Sequence, residues 1–335
     1  MWAGRTTRVF AGALVLVVVP IAAVSMMGCA QTTPSTESTG RPSQDVGSSP
    51  PGAIAYATAK VFARSVHPRA ADTWGEIEAR EFVFSTLQQS GYFPLLQEFI
   101  STRGGDRVHS GNIIAVKEGE SAERLIVGAH YDSVPGSDGY TDNAVGIGLL
   151  LEMAAKLKAQ PTPYTIVFVA FGAKEDGLFG SRHFMAAMPK VERDATLGMI
   201  NLDGVAGGDD LYAYNRPHSA GWLRADVLAA AEVVGIPLRA TPARPGTSPG
   251  TAELTSDDAA FASADIPTAA VTATNWAAGE GDGRTQTAKH GRVWHTPKDT
   301  VWFIEKNYPG RVQGQLSDLS RLLEVLLTSE LEKRP

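Results

Sequence analysis

An α/β fold with a mostly parallel, mixed central sheet flanked by helices on both faces is predicted. Three observations predict it. Strand-like and helical stretches alternate from about residue 52 onward, the pattern of a parallel sheet whose crossovers are helices. Tyr164–Phe171 is apolar on both alternations, as a strand covered on two faces must be. The 335 residues are 43% apolar and 20% charged, a globular composition that excludes a wholly disordered chain.

The elements follow in order. Ala53–Val66 and Trp74–Gln89 carry helical apolar spacing, and Gly91 supplies a stop. Asn112–Val116 and Leu125–Ala129 are short, mainly apolar runs with β-branched residues, read as strands. Asp142–Leu157 is predicted to be a helix, with Ala144, Ile147, Leu150, Leu151 and Ala154 on one face. Leu197–Leu202 and Pro267–Val271 are further strands, and Gly221–Val234 and Gln313–Leu327 further helices. No internal repeat or second linker interrupts this pattern, so residues 52–335 are read as one domain.

The N-terminus reads differently. Arg5 and Arg8 precede an uncharged run over 9–24 that is short for a membrane span and is interrupted by Pro20. A signal peptide over residues 1–28 fits better. Met26-Met27-Gly28-Cys29 resembles the bacterial lipobox, with Cys29 as the lipidated new N-terminus. Met26 and Met27 depart from the usual leucine and small residue. A secretory signal with an incidental cysteine and an uncleaved anchor remain open. All three place the body outside the cytoplasm, and the lipid reading attaches it to a membrane. Residues 29–51 are rich in Ser, Thr, Pro and Gly and read as a flexible linker. A single cysteine excludes a disulfide framework within the chain and any cysteine-built metal site. A net charge of −6 argues against a nucleic-acid partner.

Acids and imidazoles cluster just past the strands. Leu125–Ala129 runs into His130-Tyr131-Asp132, and Asp142-Asn143 opens the next helix. Tyr164–Phe171 leads to Lys174-Glu175-Asp176, and Leu197–Leu202 to Asp203-Gly204. His295 and Asp299 follow late in the chain. Ligands of open α/β sheets bind at the carboxyl ends of strands. Two histidines and three carboxylates suit a pair of zinc ions, with one carboxylate bridging. Taken singly, each has an ordinary reading. Asp142 is a helix cap, Asp203-Gly204 a turn, Glu175 a solvated loop residue and His295 a surface histidine.

His130-x-Asp132, Asp142-Asn143, Glu175-x-Gly177-Leu178-x-Gly180-Ser181, Asn201-Leu202-Asp203 and His295-Thr296-Pro297-x-Asp299-Thr300 together resemble, in order and rough spacing, the motifs of the M28 zinc aminopeptidases. The resemblance covers about residues 65–328, starting at His67-Pro68-Arg69. It implies a zinc-exopeptidase fold, two Zn²⁺ per chain and peptide substrates cut at the N-terminus by an activated water. It implies that His130 and Asp203 hold one zinc, that Glu175 and His295 hold the other, and that Asp142 bridges them. Asp132 would fix the tautomer of His130. A cis peptide is expected at Asp142-Asn143.

One position departs from the family. Where a glutamate base precedes the ligand Glu175, this chain has Lys174. An ammonium accepts no proton. Three readings stay open: another base such as neutral Lys174 or Asp176; a one-residue shift with Glu175 as base and Asp176 as ligand; or a metal-binding protein that has lost most hydrolytic power. Competing functions are a glutaminyl-cyclase-like enzyme with one zinc and a pseudo-peptidase that binds peptide or metal. Gly246-Thr247-Ser248-Pro249-Gly250 mimics a nucleophile elbow, but Pro249 lacks the needed N–H.

Around these motifs, Trp294 is read as a pocket wall or a core residue. His183 is read as structural, and His290 as close enough in sequence to His295 to line the pocket. Ala277–Gly291 is read as a rim loop. Ser256-Asp257-Asp258 resembles a Ser-Asp-His segment of relatives but is read first as a helix cap.

Overall fold

The structure, a computed structural model, describes residues 49–243, 248–252 and 254–332. The expectations on the leader 1–28, on Cys29 and on all but the last residues of the linker 29–51 lie outside these. The described residues fall in one compact unit.

The unit opens with two helices, α1 (Ala53–Ser65) and α2 (Trp74–Gln89). A hairpin of β1 (Leu95–Arg103) and β2 (Asp106–Lys117) follows, then β3 (Ser121–His130). Next come α3 (Val145–Leu157), β4 (Tyr164–Phe171), α4 (Phe179–Ala187), α5 (Lys190–Asp194) and β5 (Thr196–Leu202). The second half holds β6 (Asp210–Tyr214), α6 (Trp222–Val233), β7 (Leu238–Ala240), α7 (Asp258–Ala262) and β8 (Thr268–Thr274). Two helices close it, α8 (Val301–Asn307) and α9 (Arg311–Thr328).

One eight-stranded sheet runs β1-β2-β4-β3-β5-β8-β6-β7. Its centre, β4-β3-β5-β8, is parallel, while β1, β2 and β6 pair antiparallel to their inner neighbours. The period of two divides the core. Leu125, Val127, Ala129, Ile166, Phe168 and Ala170 face α1, α2, α3 and α9. Ile126, Val167, Val169 and Phe171 pack on the other face, against Phe184 of α4 and Phe261 of α7. All eight residues of β4 are buried, so its apolar character on both alternations is a packing requirement. Glu152 of α3 fastens the start of the unit. Its carboxylate accepts Gly52 N at 2.8 Å and Ala55 N at 2.7 Å, standing in for a missing cap on α1.

Two expectations need correction. The hairpin strand β1 was not foreseen, because in it only Phe99 is buried and no periodic apolar face marks it. Gly104-Gly105 was the available signal: both have positive φ (61° and 102°), which a two-residue hairpin turn requires. Helix α3 begins at Val145 rather than Asp142. Tyr140–Ala144 is an irregular turn in which Asp142 and Asn143 leave helical angles, and the Asp142–Asn143 peptide is cis, as expected. Side-chain anchors hold that turn out of the helix. Asp299 accepts Thr141 N at 2.7 Å and Asp142 N at 3.1 Å, and Asn143 Nδ2 donates to Leu202 O at 2.8 Å.

Candidate metal centre

The parallel strands deliver their chemistry to one place. His130 is the last residue of β3, Asp203 follows β5, and Glu175 sits four residues past β4. Asp142 comes from the irregular turn before α3, and His295 from the loop before α8.

Asp142 stands between the two imidazoles. Its Oδ1 lies 3.0 Å from His130 Nε2, and its Oδ2 lies 3.0 Å from His295 Nε2. Asp203 Oδ1 is 3.4 Å from the same nitrogen of His130, and Glu175 Oε1 is 3.1 Å from that of His295. The geometry therefore contains two triads that share one carboxylate, each triad using a different oxygen of it. Across the triads, ligand atoms of His130, Asp142 and Glu175 all lie within 4.8 Å of one another. Imidazole and carboxylate in this arrangement are a zinc-type donor set.

The support is built behind the donors. Asp132 is fully buried, and its Oδ1 lies 3.3 Å from His130 Nδ1 while its Oδ2 accepts Glu175 N at 2.9 Å. That leaves His130 Nε2 for the centre. Ser256 donates to Asp203 Oδ2 and receives Asn201 Nδ2 at 2.7 Å. Asn143 Oδ1 accepts Gly204 N at 3.1 Å, tying the turn that bears Asp142 to the end of β5. Arg69, fully buried, donates to Tyr131 O, Asp138 O and Gly139 O and so shapes the passage from His130 to Asp142.

Charge follows from this packing. Burial opposes ionisation of Asp142, but Lys174 and both histidines outweigh it and hold the carboxyl well below its usual range. Asp203 responds in the same way and falls to about 2. Hydrogen bonds donated to Asp142 and Glu175 lift His295 to about 9. Burial and Lys174 push His130 down, yet Asp203, Asp132 and Asp142 raise it well above the ordinary value. Burial, helped by the nearby charge of Asp142, takes Asp299 up to about 7, even though it accepts three hydrogen bonds.

Lys174 reaches into the centre. Its Nζ is 3.1 Å from Glu175 Oε1, 3.4 Å from Asp203 Oδ2 and 3.7 Å from Asp142 Oδ1. Burial works against the ammonium, and these three carboxylates overcome it, so the protein's own charges keep Lys174 protonated. Asp176 turns away to Arg103 on β1. Its carboxylate is engaged by that arginine, and Asp176 is not in the cluster of His130, Asp142 and Glu175, so neither the base nor the ligand role considered for it has geometric support.

The pocket over the centre measures about 290 Å³ and is lined by Asp142, Lys174, Asp203 and His295 at its floor, with Tyr214 and Trp294 among its walls. Trp294 is thus a wall residue, and its indole occupies the space a Cβ at Gly204 would need, 2.3 Å from Cζ2. With φ of 60° at that position, glycine is required twice over. The loop over Ala277–Gly291 contributes Arg284 to the rim, as its composition suggested. His290 does not line this pocket; its Nδ1 meets the Tyr308 hydroxyl at 2.8 Å. His183 stacks on Phe99, away from the centre.

Ser256-Asp257-Asp258 does open α7 with Asp257 at the N-cap position, but the side chain does not act as a cap. Asp257 makes no side-chain cap bond and is fully buried, and burial raises its carboxyl to about 7. Among the described residues neither of its oxygens meets a donor at hydrogen-bonding geometry, and the nearby Ser181 hydroxyl is turned to Leu178 O. Asp258 instead forms a buried two-point pair with Arg216, with both contacts at 2.6 Å. The supporting parts of Asn143, Arg69 and Asp299 were not foreseen, because a residue that orients another leaves no spacing pattern of its own.

Comparison with known proteins identifies the family. The sequence model of peptidase family M28 matches residues 112–319. The alkaline phosphatase isozyme conversion protein of Escherichia coli is 32% identical over 316 residues, covering 84% of this chain and 91% of that protein. A probable lipoprotein aminopeptidase of Mycobacterium tuberculosis is 39% identical over 106 residues, 30% of this chain but only 21% of that protein. Among solved structures, a zinc aminopeptidase from Bacillus subtilis superposes with a TM-score of 0.66 at 20% identity, covering 82% of this chain and 94% of that one. The glutaminyl cyclase of Porphyromonas gingivalis gives 0.66 at 23% identity, covering 84% and 98%. With the family match spanning more than half of the sequence and a relative 32% identical over 84% of it, the chain belongs to peptidase family M28.

Proposed function

We propose that the protein is a zinc-dependent exopeptidase that removes N-terminal residues from peptides and holds two zinc ions through His130, Asp203, Glu175, His295 and a bridging Asp142. The observation that carries this is Asp142, whose two oxygens each face a different imidazole at 3.0 Å. Zinc in such a pair lowers the pKa of water toward neutrality and polarises a scissile carbonyl. The chain's own contribution is placement: Asp132 orients His130, and Asp299 and Asn143 hold the turn that presents Asp142.

Lys174 limits the rate. It occupies the place that the family resemblance gives to a glutamate base, and in its protonated form the amine accepts nothing. Loss of a general base costs on the order of 10²–10⁴-fold. The same residue supports a second reading, an impaired peptidase that binds metal or peptide. Metal analysis and hydrolysis of aminoacyl-nitroanilides test both. The expected result is two zinc ions and slow turnover, with Lys174→Glu raising kcat by about a hundredfold. No zinc, together with unchanged stability in His130→Ala and Asp142→Ala, sinks the assignment. Fast native turnover that Lys174→Glu lowers removes the impaired-base account. One zinc with cyclisation of N-terminal glutamine points instead to the cyclase reading.

We place the protein outside the cytoplasm, tethered through a lipid on Cys29. Support comes from the lipobox-like sequence and from the lipoprotein relative named above. Cells fed a labelled fatty acid should label the native chain and not Cys29→Ser.

A further inference from the structure

The pocket over the centre is unevenly charged. Its acids among the described lining residues, Asp142 and Asp203, already belong to the donor set. Its rim carries Arg284 and Arg292. Arg284 has only a loose contact with Asp282 of its own loop, at 3.9 Å, and its side chain is 61% exposed. Among the described residues no carboxylate pairs with Arg292, whose guanidinium donates to Trp294 O at 3.2 Å and lies 3.4 Å from His295 Nδ1. Two further lining residues, Thr272 and Trp294, have a hydroxyl and an indole N–H without a partner among the described residues. Guanidinium and indole groups only donate, and a hydroxyl can donate. The rim and wall are thus rich in donors and poor in acceptors.

The ligand group that matches two guanidinium groups is a carboxylate, which only accepts when ionised and takes arginine in a two-point geometry. We propose that Arg284 and Arg292 are specificity residues that select short substrates bearing a carboxylate close to the scissile bond. This rests on the exopeptidase reading. The pocket volume, about 290 Å³, lies at the small end of ligand sites and suits one or two residues rather than a long segment. The carboxylate has two sources, an Asp or Glu side chain at the substrate N-terminus or the free C-terminus of a dipeptide. N-terminal Lys and Arg are disfavoured by the same charges.

Uncleavable ketomethylene dipeptides test this without turnover. The zinc-loaded protein is titrated calorimetrically with Leu-Leu isosteres ending in a free acid or an amide, and with Glu-Leu and Lys-Leu isosteres ending in an amide. Tighter binding of the free acid than of its amide identifies the C-terminus. Tighter binding of the Glu amide than of the Leu amide identifies the side chain. Either difference is expected at about three- to fivefold, the upper end of the range of exposed charge pairs. Arg284→Gln, which touches no donor of the centre, should remove much of it, and Arg284→Glu should shift preference toward the Lys isostere. Native binding within about twofold for all four probes overturns the proposal, as does a preference that survives Arg284→Gln with Arg292→Gln. Failure of the exopeptidase reading shows separately, as absent zinc or absent hydrolysis, because these probes need no turnover.

Discussion

The two halves of the centre are chemically alike and structurally unlike. The half around His130 is carried by strand ends, and the His130 and Asp132 side chains are fully buried. The half around His295 is carried by loops, and the His295 side chain is 36% exposed. His295 also sits at φ 58°, a left-handed conformation unusual outside glycine. Its loop is fixed locally, with Thr296 Oγ1 donating to Val293 O at 2.6 Å and Asp299 N to Thr296 O at 3.1 Å. The contrast teaches a division of labour: a dry, pre-oriented site next to one open to water and substrate. Preorganised donors lose little freedom on binding, whereas a loop must be held in place.

Asp142 belongs to both halves, so removing it should have the largest effect. Asp142→Ala is expected to lower zinc binding in both triads and to take hydrolysis to background, measured by metal content after dialysis and by nitroanilide turnover. Retention of one tightly held zinc in this variant would mean that the halves do not share the carboxylate.

Single-ligand variants should then separate the halves. His130→Ala and His295→Ala each leave one triad intact, so each should retain one zinc. His130→Ala should also lower the thermal midpoint more, because it empties a buried position and leaves Asp132 without its imidazole. Asp132→Asn should weaken only the His130 half, by about 10–100-fold in zinc affinity, the usual cost of losing an orienting partner. Equal losses of affinity and of midpoint in the two histidine variants would strip the contrast of energetic content.

The legible parts of this architecture share a cause. His130, Asp142, Glu175, Asp203 and His295 could be marked in the sequence because strand ends in a parallel sheet converge and the family motifs keep their order. Tyr164–Phe171 and Trp74–Gln89 were located to the residue, since burial on two faces and helical spacing leave strong patterns. The hairpin strand β1 did not, being an exposed edge. Neither did the break before α3, where Asp299, over 150 residues away in the chain, competes for backbone donors that a helix would use. Asp257 was misread for a similar reason: a short polar residue before a helix suggests a cap, and only the fold shows it sealed behind the centre. Long-range side-chain contacts are written in three dimensions and leave no local period.

A smaller effect sharpens the comparison through pH. Hydrogen bonds donated to Asp142 and Glu175 raise His295 to about 9 in the zinc-free fold, above the roughly 6.5 of an unfolded histidine. Between those values the folded zinc-free protein binds more protons than the unfolded chain, so its stability must fall as pH rises. The contribution is complete below about 6.5 and gone above about 9. Zinc competes for the same nitrogen, so zinc binding releases protons and the apparent affinity of this half climbs with pH until about 9. Urea unfolding of zinc-free protein from pH 6 to 9.5 should show the decline, and His295→Ala should flatten part of it. His130 is raised in the same direction, and its residual slope in that variant measures the buried half. A zinc-free stability that rises across this window would reverse the assigned charge on both imidazoles. It would leave Asp142 paired with neutral rings and make Lys174 the cation that sets its depressed pKa.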